Sequence, residues 1–258
     1  MSLYWKYVKV HFMSQMSYKK SFILLTIGQF FVPFMIIISM YLLFQRFDHI
    51  MGWTLYEVAL CYGVINLGYS ICECFSRGFD TFSSLIRNGN FDRIMLRPRG
   101  TILQVFGSKF EFTRIGRFLQ GLMVFIISLY KLKLDYTIWI ILALTLMILC
   151  GIVVFTGIYI IGASLCFYTV EGIEIVNIFT DGGREMSKYP LGIYKKEVQK
   201  IFTLIIPFGM INYYPLMYVL GKSHKLVHVF YPLYGFIFLI PCLLAWYRGV
   251  KHYKSTGS

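Results

Sequence analysis

The sequence is poor in charge: Asp, Glu, Lys and Arg make up 14% of its 258 residues, against about 25% in soluble globular proteins. Hydrophobic residues reach 57% and the mean hydropathy is +0.65, a composition that excludes an ordinary water-soluble domain. Common catalytic signatures are missing too. There is no HExxH zinc pair, no GxSxG elbow and no GxxxxGK[ST] phosphate loop, so ATP hydrolysis through that loop is excluded. The histidines are His11, His49, His224, His228 and His252, none inside an apolar run, and His224 and His228 have no acidic residue between them. All six cysteines (Cys61, Cys72, Cys74, Cys150, Cys166 and Cys242) lie within or at the ends of apolar runs. There they read as small buried hydrophobes rather than a secreted disulfide framework. No cleavable signal peptide is apparent in residues 1–20, which are aromatic and basic.

What charge there is leans one way, with a formal net charge of +13. Nucleic-acid binding would gather basic residues on one exposed face. Here they fall between apolar runs, as the positive-inside bias of membrane proteins requires. The expected fold is an all-α polytopic membrane protein with six transmembrane helices, its residues 1–258 forming a single transmembrane domain. Met1 to Lys20 reads as an interfacial helix, with Leu3, Tyr7 and Val10 at helical spacing and Lys6, Lys9, Lys19 and Lys20 among aromatics. Phe22 to Gln45 is the first span, kinked at Pro33. Leu55 to Phe75 is the second, carrying Glu57 and Glu73 near its two ends, where an interfacial role is the simplest reading. Thr101 to Arg117 reads as a polar-decorated helix leading into a third span near Ile115 to Tyr130. Ile138 to Phe167 is a long fourth span, expected to tilt, to bend at a glycine or to project from the bilayer. Tyr168 to Lys200 is a second polar stretch. Ile201 to Leu220 is a fifth segment that should stop near Pro207–Gly209 and re-enter the outer leaflet through residues 207–228. Val229 to Tyr247 is the last span. With both termini in the cytoplasm, 20 of the 25 Lys and Arg lie inside and 5 outside, which favours this orientation.

The longest polar interval of the first half is residues 77–100, RGFDTFSSLIRNGNFDRIMLRPRG. It holds five arginines between two spans. Asn88 to Asn90 supply a turn and an N-cap. Phe91, Ile94 and Met95 make an apolar ridge edged by Asp92, Arg93 and Arg97, and Pro98 stops the helix. Such a ridge on a short basic loop has the shape of a plug for a groove on another protein, and the expected role is docking a motor. Phe91 and Met95 are then the anchors, and Asp92, Arg93 and Arg97 the polar contacts.

At these residues the chain resembles ABC-2 type transporter permeases, whose loop reads G-x-F/L-D-x-x-L-x-R-P. The corresponding residues are Gly89, Phe91, Asp92, Met95/Leu96, Arg97 and Pro98, with the leucine displaced. Tyr189-Pro190-Leu191 with Ile193-Tyr194, Ile206-Pro207, and Asn212-Tyr213-Tyr214-Pro215 before Leu220-Gly221 follow in the order of that branch, so the resemblance covers nearly the whole chain. It implies six spans, an N-terminal interfacial helix, a cytoplasmic coupling helix and a re-entrant outer element built around Pro207, Asn212, Tyr213, Tyr214 and Pro215. It further implies pairing with an identical or homologous permease and two copies of an ATP-binding cassette ATPase. ATP and Mg would bind those partners, with no cofactor in this chain. The expected setting is the bacterial cytoplasmic membrane, in contact with its lipids, and the expected activity is export of a drug, peptide, lipid or glycan. The alternatives are a membrane enzyme acting on a lipid-linked substrate through Glu73 or Glu171/Glu174, or a passive anchor or immunity protein.

Overall fold

The computed structural model describes residues 3–169 and 181–254. Among them all regular structure is helical, apart from one isolated bridge between Ile50 and Trp53. Five helices are long and apolar enough to cross a membrane, and a bent pair makes up to six. An N-terminal helix, α1 (Leu3–Met16), leads into α2 (Lys19–Phe31) and α3 (Phe34–Arg46). The last two form one span, Lys19–Arg46, interrupted at Val32–Pro33. Pro33 causes the break because it has no backbone N–H to continue the ladder.

The second span, α4 (Leu55–Phe75), starts where the backbone N–H of Thr54 donates to the Glu57 carboxylate at 2.8 Å. Glu57 is therefore a capping residue. Of α4's apolar window 89% is buried, against 6% for the first span, so α4 is the centre of the bundle and the first span is its exposed rim. The third and fourth spans, α9 (Ile115–Leu132) and α10 (Ile138–Leu165), flank α4, and the last helix packs on α10. That helix, α11 (Tyr234–His252), follows a 3-10 stretch, Leu226–Leu233.

The bundle has two distinct ends. One carries the arginines of the 77–117 region. At the other, Lys222 joins two turns: its Nζ donates to Gly52 O at 2.9 Å and Glu57 Oε2 at 2.8 Å, and lies 3.9 Å from the Trp53 ring centroid.

Several sequence expectations are corrected. Thr101 to Arg117 is not one helix: α8 (Thr101–Phe106) ends, and a loop leads to a 3-10 turn at Phe112–Arg114. The fourth span is a continuous 28-residue helix, longer than a crossing needs, as its sequence suggested. The fifth segment does break. Lys196–Ile205 and Gly209–Val219 meet at 88°, and Ile206 is extended (φ −115, ψ 106) ahead of Pro207, as a residue before proline prefers.

The first span is held to the third by close approach at Gly116, where a Cβ would meet Thr26 O at 2.0 Å. Gly116→Ala should cost about 1–3 kcal/mol by forcing the two backbones apart. Gly28→Ala, with nothing within 4 Å, should be near neutral. Thermal unfolding in detergent measures both, and equal effects would remove Gly116 as the contact point.

Candidate functional site

The basic interval after α4 folds as a chain of short helices: α5 (Arg77–Asp80), α6 (Phe82–Arg87) and α7 (Asn90–Met95), then α8. The turn between α6 and α7 is made by Gly89 at φ 65, a left-handed conformation that glycine adopts without penalty. No side chain caps α7, so the expected asparagine N-cap is replaced by this glycine. Apolar residues at 79, 82 and 91 then point the same way, into the bundle.

Phe91 is fully buried. Its ring centroid lies 5.1 Å from Phe82, 5.3 Å from Phe167 and 5.0 Å from Tyr253, with Trp246 at 6.3 Å. Phe79 and Phe82 also meet Trp246, at 5.3 and 5.0 Å, and Trp246 Nε1 donates to Thr101 Oγ1 at 3.1 Å. Most of these are edge-on aromatic contacts, each worth about 0.5–1.5 kcal/mol beyond burial. Gln104 Nε2 donates to Ile94 O (3.0 Å) and Arg99 O (2.8 Å), fastening α7 to α8. Burial and the neighbouring Asp92 carboxylate push the Tyr253 hydroxyl up.

This corrects the expected ridge. Phe91 and Ile94 face inward and are unavailable to a partner, because the aromatic ends of α10 and α11 form a socket for them. Arg93, Met95 and Arg97 face outward, joined by Leu96, which is 85% exposed and was named from the sequence only as a motif position, not as a docking residue. Asp92 is half-buried.

Behind the socket lies an ionic hub. Glu73, 3% exposed, receives Arg117 Nη1 on one oxygen, with Arg77 Nη1 (3.7 Å) and Arg114 Nε (3.6 Å) near the other. Arg77 also pairs with Asp80 (2.7 Å) and Glu111 (2.9 Å), and Arg114 with Glu111 (3.2 Å). Gln29 of the first span accepts from Arg114 (2.9 Å) and Arg117 (3.0 Å). Three carboxylates thus balance three guanidiniums, and the hub joins the first three spans to α5. Burial alone would lower the Arg77 pKa, but Asp80 and Glu111 beside it more than reverse that. Burial raises Asp80, with Arg77 opposing. Glu73 is therefore a load-sharing ion, not an interfacial carboxylate, and it has no open face for acid–base work on a lipid-linked substrate. Glu171 and Glu174 lie outside the described residues.

The polar face of α4 continues beyond Glu73. Tyr69 donates to Asp181 Oδ1 at 3.0 Å and lies under the Arg184 guanidinium at 4.6 Å. Nearer the Glu57 end, Gln120 Oε1 accepts from Tyr62 and Asn66, and Lys188 pairs with Glu185 beside the Tyr62 ring. The sequence implied that Tyr168 to Lys200 lies at the arginine-rich end. Instead Asp181 to Lys188 runs alongside α4, because those charges find partners there. Of the expected gate residues, buried Asn212 donates to Ser187 O and Cys61 Sγ, both at 3.0 Å. Tyr213 meets Trp53 at 6.0 Å and Tyr214 at 5.3 Å. Tyr214 meets His228 and Tyr231, and Pro207 and Pro215 are buried in the bent segment. Docking and gate residues therefore form no single cluster. Arg114, Arg117 and Gln29 were missed as hub members. Their signal was available: polar groups at the rim of two spans, level with an acid at the rim of a third.

A sequence model of the ABC-2 family transporter protein matches residues 30–257. A search of curated proteins returns no match.

Two substitutions separate the structural parts of this site from its exposed part. Phe91→Ala should cost about 3–5 kcal/mol of stability by emptying the socket, whereas Leu96→Ala should stay within about 0.5 kcal/mol. Glu73→Gln should cost about 3–5 kcal/mol by stranding buried arginines. Combined with Arg117→Gln the loss should be clearly less than additive, as read by unfolding in mixed micelles. Simple additivity would mean that the pair does not interact.

Proposed function

The chain belongs to the ABC-2 family of transporter proteins and is a membrane permease component, and from that premise we propose that it serves an exporter driven by a separate ATPase. Two ATPase copies, carrying ATP and Mg, would sit under the arginine-rich end. That end would face the cytoplasm with both termini, as the distribution of Lys and Arg favours even without Arg184 and Lys188, which lie along α4: 18 residues against 5, in the cytoplasmic membrane of a bacterium. A second permease, identical or homologous, would complete the path, lined by the first, second and fifth spans. An apolar groove of about 300 Å³ between the first three spans, lined by residues such as Phe34, Tyr56 and Met123, suits an amphiphilic cargo or the partner's helices.

The observation that carries the reading is the two-sided α7. Arg93, Met95, Leu96 and Arg97 present an exposed edge, with Asp92 beside it, while Phe91 and Ile94 lock the same helix into the ends of the fourth and sixth spans. A push from the motor on the exposed edge passes through Phe91 to those two spans. It passes through α5 and Arg77 to Glu73, and so to the first three. Phe91 is thus the keystone of the coupling helix, and the docking contacts fall to its neighbours.

Purification in mild detergent with the neighbouring gene products tests this. The expected product is a stable complex with an ATP-binding subunit, lost on Arg97→Glu while the permease stays folded. Copurification and transport that survive the charge reversal would displace the docking surface from α7. A permease that emerges alone would end the exporter reading.

A further inference from the structure

We propose that the elbow between α1 and α2 holds the headgroup of one anionic phospholipid from the surrounding leaflet. A cavity of about 360 Å³ lies between this elbow and residues 109–113, within the range of small-ligand sites. Among its lining residues are the hydroxyl-bearing Ser14, Tyr18 and Ser21, and Lys109. Lys109 is exposed, as are Lys19 and Lys20, which lie between Tyr18 and Ser21 in the chain. Phe22 and Leu25 line it too and lead into the first span, where Ile23, Leu24 and Leu25 are 55%, 69% and 56% exposed. Polar and apolar lining residues together at the end of a span are what a phospholipid requires: phosphate among donors, acyl chains along the helix.

Two further groups line the cavity without competing for the ligand. Gln15 is occupied by the neighbouring loop, its Nε2 donating to Phe110 O at 2.7 Å and its Oε1 accepting from Phe112 N at 3.2 Å. Those bonds make the wall stiff. Glu111 would repel an anion if free, but its oxygens are paired with Arg77 and Arg114 at 2.9 and 3.2 Å, so the remaining lysines set the sign of the mouth. Basic residues near an anionic leaflet attract it, and here Lys109 lines the cavity while exposed Lys19 and Lys20 lie in the chain between two of its lining residues, Tyr18 and Ser21.

The site is also wired to the hub. Lys109 and Phe110 flank Glu111 on the chain side, and Glu111 is the carboxylate through which Arg77 and Arg114 are tied together. A bound lipid therefore braces the segment that holds the coupling loop to the second and third spans. This regulatory consequence rests on the exporter reading; lipid binding itself does not.

Native mass spectrometry of the purified chain, released from mixed phosphatidylcholine and phosphatidylglycerol, tests the site. One phosphatidylglycerol should be retained in preference to phosphatidylcholine. Lys109→Glu should reduce retention by more than the about fivefold effect of one lysine near anionic lipid, because the new carboxylate also repels it, and Ser21→Trp should reduce retention by filling the cavity. Lys6→Glu, on α1 but outside the cavity, should leave retention unchanged. Equal retention of both lipids, unaltered retention in Lys109→Glu, or an equal loss in Lys6→Glu would overturn the proposal. So would inorganic phosphate binding at the same lysine without lipid. In nanodiscs holding the permease with its ATPase, phosphatidylglycerol should raise ATP turnover and Ser21→Trp should abolish the rise. A turnover indifferent to lipid would overturn the regulatory half alone, whereas a missing ATPase would count against the exporter reading and leave the retention result standing.

Discussion

A single carboxylate, Glu73, sits almost wholly buried near the end of the most buried helix and faces three guanidiniums. An unpaired charge at that place would be very costly. The cost is met only if Arg77, Arg114 and Arg117 all converge, and each comes from a different part of the chain: the start of the polar loop, the turn before the third span, and that span itself. Gln29 draws in the first span by accepting from two of them. The geometry of one end of the bundle follows from this requirement. The loop must leave α4 at once as α5, the third span must begin beside α4, and the first span must lie across the third.

The aromatic socket answers a different requirement. A basic loop of short helices has little propensity-driven stability of its own, since isolated helices of a few residues are marginal. Phe79, Phe82 and Phe91 give it a core by borrowing Phe167, Trp246 and Tyr253 from the fourth and last spans. The loop is consequently a rigid part of the bundle with one exposed edge. On the exporter reading this divides the work within α7: the exposed residues receive the push and the buried ones deliver it.

Much of the fold was legible. Spans carry their signal in length and apolarity, so Leu55–Phe75 was readable to the residue, and Pro33 and Pro207 announced their breaks through a missing donor. Residue roles were harder wherever a neighbour outside the local pattern decides. Phe91 has the same spacing whether its ridge points out or in, and only the aromatic ends of distant spans turn it inward. Glu73 near a span end looks interfacial until two arginines some forty positions later are placed beside it. Asp181 to Lys188 looked like a solvated polar stretch. It lies along α4 because Tyr69 and Tyr62 offer partners that no local window reveals.

The central claim is that α7 moves as one body with the ends of the fourth and last spans and transmits its motion to the opposite end of the bundle. Spin labels at Leu96→Cys and Tyr247→Cys report the first part, and labels at Met51→Cys and Lys225→Cys the second, in the assembled transporter with and without a trapped ATP analogue. The account predicts an unchanged separation between 96 and 247 and a changed one between 51 and 225. A loop that shifts against the last span while the far end stays still would contradict it.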